Sequence, residues 1–157
     1  MSRQRLGGRD VLLLSGVALA TTLGDLVSKD WARHDLAAHA RHVVGPWWWR
    51  LRYNSGISFS LNSSGPRWTA VVTALVLVVV GYFAWRAKST ASRVGFGLVL
   101  GGGLGNLVDR VSAAPPRVTD FVAVGSFPVF NLADAAITVG VVTALVATWL
   151  AAPKGAS

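Results

Sequence analysis

Between Trp68 and Trp85 the chain reads TAVVTALVLVVVGYFA, with no charge and no proline. A run this apolar must satisfy its own peptide groups, and as a helix it covers about 27 Å, close to one bilayer core. Three further stretches share the character: Val11 to Val27, Val94 to Val108, and Ala135 to Leu150. Together they predict an all-α integral membrane protein with four transmembrane helices, at about 11–28, 68–85, 94–110 and 134–151. The 157 residues suit a single membrane domain, 1–157. Only 14% of residues are charged, against about 25% in a soluble domain, and mean hydropathy is +0.49.

The N-terminal run also has the form of a cleaved signal peptide: a basic start, an apolar stretch, then Ala18-Leu19-Ala20. Apolar and small residues continue past Ala20 without a break, which favours a retained first span. Fifteen Lys and Arg give a net charge of +8. They sit mostly between apolar runs, so they point to membrane orientation and anionic headgroups rather than nucleic acid. Arg3, Arg5 and Arg9 precede the first span, and Arg86, Lys88 and Arg93 follow the second. Positive-inside counting therefore puts both termini in the cytoplasm, and residues 30–67 and 110–133 outside.

Residues 43–61 are β-branched, aromatic and alternating, with Gly45-Pro46 and Asn54-Ser55-Gly56 as turn signals. They predict a small extracytoplasmic β element within the loop 30–67. Trp47, Trp48 and Trp49 fit an interfacial aromatic belt. His34, His39 and His42 read as solvated loop residues, and no metal site or cofactor is expected. With no cysteine, the chain has neither disulfides nor a thiol nucleophile. The third span repeats glycine at 97, 101 and 105, a spacing that clears one helix face for close packing.

All seven acids are Asp. With four spans, Asp25, Asp109, Asp120 and Asp134 come to one membrane level, and Asn54, Asn106, Arg110 and Asn131 can reach it. Asp25 and Lys29 are four residues apart and can pair on one helix face; the residues alone favour a plain helix-end ion pair. Asn106 shares a face with Asp109 and Arg110. Val118 to Phe130 is non-helical or strand-like. Asn131 reads as an N-cap with Asp134 three residues on, as in a capping box. Asp120 can be a turn residue and Asp134 a cap partner. Alternatively, the two form a dyad: carboxylates sharing a site cannot both ionise easily, so one takes a proton from water while the other donates.

The motifs that follow resemble those of the lipoprotein (type II) signal peptidases, bacterial membrane aspartyl peptidases. In order they are Asp25 with Lys29, NSGISF at 54–59, GGGLGNLVDR at 101–110, VTDF at 118–121 and FNLAD at 130–134. The resemblance spans roughly residues 20–145. It implies an enzyme of the cell membrane that removes the signal peptide from diacylglyceryl-modified prolipoproteins, cutting just before the lipidated cysteine. Asp120 and Asp134 would be the catalytic pair. Asp25, Lys29, Asn54, Gly56, Phe59, Asn106, Asp109, Arg110 and Asn131 would order the site or bind substrate. The expected partners are the prolipoprotein, membrane lipid and globomycin-type peptide inhibitors.

Two features depart from the family pattern. Leu26 follows Asp25 where a polar residue is common, and the connection from Asp120 to Asp134 is short. The apolar and small residues between the two Asp, with Gly125, Ser126 and Pro128, are expected to form a lid over the cleavage site. A helix first turn favours a negative charge, so the shared proton is expected on Asp120. Two other classes compete. A proton-coupled carrier would place its acids near the midplane with broken helices. A silent paralogue would bind lipoproteins without cutting them.

Overall fold

The computed structural model describes residues 7–56 and 68–151. The element order is α1 (Gly8–Asp35), β1 (Arg41–Val44), β2 (Trp47–Asn54), α2 (Trp68–Arg86), α3 (Thr90–Ser112), β3 (Val118–Val124) and α4 (Leu132–Leu150). The protein is mostly helical, with one small antiparallel sheet. Three helices, α1, α2 and α4, are long and apolar enough to cross a membrane. Their large apolar side chains face outward; Leu12, Val78 and Trp149 are all more than 70% exposed. In water this would be untenable, whereas lipid accepts it.

The expected third span, α3, is not among those three helices. Glycine replaces apolar bulk along it, and that glycine serves packing. α3 is the central helix, touching α1, α2 and α4. A Cβ on Gly101 would come within 2.5 Å of Ala18 O, and one on Gly97 within 2.9 Å of Val17 Cβ. A Cβ on Gly105 would collide with the Asp25 carboxylate. The predicted glycine face is therefore where α1 docks. A second glycine face, not anticipated, receives α4: a Cβ on Gly102 would lie 2.5 Å from Ala133 O, and one on Gly140 2.6 Å from Gly95 O. Thr22 Oγ1 adds a cross-helix hydrogen bond to Gly101 O at 3.0 Å.

Two expectations need correction. The first helix does not stop near residue 28; it continues almost two turns, to Asp35. The extension is held by packing: Ala32, Leu36 and Phe121 form a buried cluster with Trp31, Trp49 and Leu51 against it. Trp31 meets Trp49 edge-on at 5.7 Å, so Trp49 is a core residue, while Trp47 and Trp48 stay exposed. Second, the expected small sheet is not confined to the loop 30–67. β1 and β2 pair around Gly45 (φ 50). β2 then pairs antiparallel with β3, from Trp47 opposite Val124 to Asn54 opposite Val118. The sheet order β1-β2-β3 thus joins the segments before α2 and after α3.

Candidate active site

The four acids expected at one level do gather at one end of the bundle. α4 begins with a full capping box: Asp134 N donates to Asn131 Oδ1 at 2.9 Å, and Asn131 N donates to Asp134 Oδ2 at 3.2 Å. Because a backbone N–H only donates, Asn131 Oδ1 must face it, and Nδ2 must face away. Nδ2 then lies 2.7 Å from Asp120 Oδ1, with Asn106 Oδ1 and Thr119 O at 3.2 and 3.3 Å. Asn131 is fully buried and Asp120 is 2% exposed. One asparagine thus ties the strand carboxylate to the helix carboxylate.

Asn106 repeats the logic. Lys29 Nζ, which can only donate, lies 2.8 Å from Asn106 Oδ1. That turns Asn106 Nδ2 to Asp134 Oδ1, at 2.9 Å. Lys29 is completely buried, paired with Asp25 Oδ2 at 2.7 Å and with Asp109 Oδ2 at 3.5 Å. Asp25 Oδ1 in turn accepts from Ala133 N at 2.9 Å. The Asp25–Lys29 contact is an i,i+4 pair, yet it reaches well beyond its own helix: it caps α4 and orients an α3 amide.

Asp109 accepts from Thr119 N at 2.7 Å and pairs with Arg33. Arg110 Nη1 donates to Asn106 O at 3.2 Å, and its guanidinium interacts electrostatically with Asp134, Asp120 and Asp109. Asn54 hydrogen-bonds Asp120 while its Oδ1 accepts from Gly56 N at 2.8 Å. Gly56 takes a positive φ of 77, and a Cβ there would come 3.7 Å from Arg110 Nη2. Phe59 lies outside the described residues. Burial, and next the charge of Asp134, push the Asp120 carboxyl up to about 6; the amides of Asn131 and Asn54 oppose that shift.

Arg33 and Thr119 were not singled out from sequence. Arg33 Nε donates to Thr119 Oγ1 at 3.2 Å. The four-residue spacing of Asp25, Lys29 and Arg33 was the available signal, hidden because Arg33 lay past the expected helix end. Ser28 Oγ bonds its own helix at Asp25 O, 2.8 Å away.

The sequence model of the family described as Signal peptidase (SPase) II matches residues 17–150. The chain belongs to the signal peptidase II family. Lipoprotein signal peptidases are similar to it along most of their length. That of Streptomyces coelicolor is 38% identical over 143 residues, covering 85% of this chain and 69% of the relative. That of Bartonella bacilliformis is 33% identical, covering 85% of each. A solved bacterial membrane enzyme shares the fold with a TM-score of 0.78 at 24% identity, over 98% of this chain and 99% of that one. This family membership makes the chain a bacterial membrane peptidase.

Proposed function

We propose that this signal peptidase II family member is an aspartyl endopeptidase of the bacterial plasma membrane. Its substrate is the diacylglyceryl-modified prolipoprotein, cut just before the lipidated cysteine. In this reading α3 also spans the membrane, making four spans in all, both termini are cytoplasmic, and the Asp cluster faces the extracytoplasmic rim.

The observation that carries the reading is Asn131, whose side chain donates to the Asp120 carboxyl while its backbone N–H donates to the Asp134 carboxyl. The two carboxyls have different surroundings. Asp134 receives Asn106 Nδ2 and Asn131 N, both suited to a charged form. Asp120 holds a proton more readily than an ordinary aspartate. Asp134 takes a proton from water as the oxygen attacks the scissile carbonyl, and Asp120 gives its proton to the carbonyl oxygen. The tetrahedral carbon collapses as Asp120 takes back a proton from its hydroxyl, the C–N bond breaks, and the proton on Asp134 passes to the departing amine. Arg110, which interacts electrostatically with both carboxyls, offsets the negative charge the pair carries through the reaction. A lipid-bearing substrate presents its cleavage bond at the membrane surface, where water is present.

Processing of a lipidated prolipoprotein by the purified protein tests this. Asp120→Asn and Asp134→Asn are each expected to lose at least about a thousandfold in rate, in line with loss of a central acid–base group. Wild-type cleavage by both variants refutes the assignment.

A further inference from the structure

We propose that the bundle carries a separate site for the phosphodiester of an anionic phospholipid, on the opposite face of β3 from Asp120. A cavity of about 200 Å³ lies there, walled by Arg33, Arg117, Tyr53, Asp109, Thr119 and Ser112. Neighbouring strand residues point to opposite faces of a sheet. Thr119 therefore faces this cavity while Asp120 faces Asn131, and the strand separates the two sites.

The donors fit a phosphate. The Arg117 guanidinium carbon sits over the Tyr53 ring, 4.1 Å from its centroid. Stacking leaves the N–H edge of a guanidinium free, and among the described residues Arg117 has no ion pair. Arg33 commits Nε to Thr119 and Nη2 to Asp109, leaving Nη1. Thr119 Oγ1 accepts from Arg33, so its own hydroxyl hydrogen is left to donate.

The charges fit a single anion. Asp25, Lys29, Asp109 and Arg33 form a chain of contacts whose charges cancel. Arg117 is left over, one positive charge matching the one negative charge of a phosphodiester.

The surroundings fit a lipid rather than free phosphate. Leu104, Val108 and Val111 are all exposed and lie at i, i+4 and i+7 on α3. This apolar stripe ends beside Ser112 at the cavity and gives acyl chains a path along the helix. The inference rests on the reading that the bundle spans a membrane with this end at its outer rim. It does not depend on the peptidase chemistry.

Native mass spectrometry of the purified full chain tests it. The probes are phosphatidylglycerol, diacylglycerol with the same tails, and glycerol phosphate. Phosphatidylglycerol is expected to bind at least fivefold more than either other probe. Arg117→Gln should cut that binding at least fivefold, and Arg86→Gln, at the far end of α2, should leave it unchanged. Equal phosphatidylglycerol binding by wild type and Arg117→Gln overturns the site. Diacylglycerol bound equally well removes the phosphate from the argument. Glycerol phosphate bound equally well shows an anion site that takes no lipid, and also overturns the proposal. Loss of peptidase activity alone moves none of these readouts.

Discussion

The Asn131 carboxamide donates to Asp120 Oδ1 at 2.7 Å, and the same side chain caps the helix turn that carries Asp134. Position and protonation of the pair therefore share one support. Asn131→Asp separates its two duties. The variant keeps a capping oxygen and loses the amide donor, and it sets a third carboxylate beside the pair. Its Tm should fall less than that of Asn131→Ala, which loses a cap and strands buried groups at a cost of about 1–3 kcal/mol. Its processing rate should nevertheless fall at least about a hundredfold, the scale of one lost acid–base contribution. Thermal unfolding in detergent and single-turnover cleavage check the two halves.

Asp120 with a carboxyl near 6 gives the reaction a pH signature. The form with Asp120 protonated is lost as pH rises through about 6, so kcat/KM should decline on that limb. Asn54 holds the value down; Asn54→Ala should move the limb to higher pH. A limb that stays put, or moves down, contradicts the assignment of the proton to Asp120.

The same shift has a stability sign. The folded carboxyl sits above its usual 3.8, so the native state binds more protons between about 4 and 6, and stability falls as pH rises across that window. Asp120→Asn removes the charge that must be buried. It should raise stability at pH 7.5 by about 1–3 kcal/mol relative to wild type, and should bring no such gain at pH 3.5. Tm at the two pH values measures the difference.

Lys29→Met should destabilise by about 3–5 kcal/mol, because it leaves Asp25 and Asp109 buried without their shared cation. Adding Asp25→Asn should recover part of the loss. A double variant no better than the single would show that Lys29 acts by packing alone.

Gly101→Ala should cost about 1–3 kcal/mol, since its new methyl would press on the α1 backbone at Ala18. Gly16→Ala, with nothing within 4 Å, should instead gain a few tenths of a kcal/mol from helix propensity. Opposite signs in Tm are the expected result.

What could be read from sequence was local. The capping box at Asn131 and Asp134 is an i,i+3 pattern, and the glycine face at 97, 101 and 105 is an i,i+4 pattern; both need only one helix to be seen. The pairing of β2 with β3 joins segments on either side of two helices, and no short-range signal announces it. The continuation of α1 to Asp35 was hidden because polar residues follow Val27. That stretch is helical because Trp31 and Ala32 pack on the sheet, a partner supplied by a later part of the chain. Arg33 was missed with it. The second glycine face at Gly95 and Gly102 shows only once α4 is in place.

The Asp25–Lys29 contact also bears on how the protein is made. α1 leaves the ribosome before α3 and α4 exist, so Asn106, Asp109 and Ala133 are not yet there to receive its two charges. One turn apart, the carboxylate and the ammonium can neutralise each other inside α1 and enter the bilayer as a unit with no net charge. When the later helices arrive, the same two groups need only add contacts, not find new counter-ions. The charge pair buried at one end of the finished bundle is thus also a passport for its first helix.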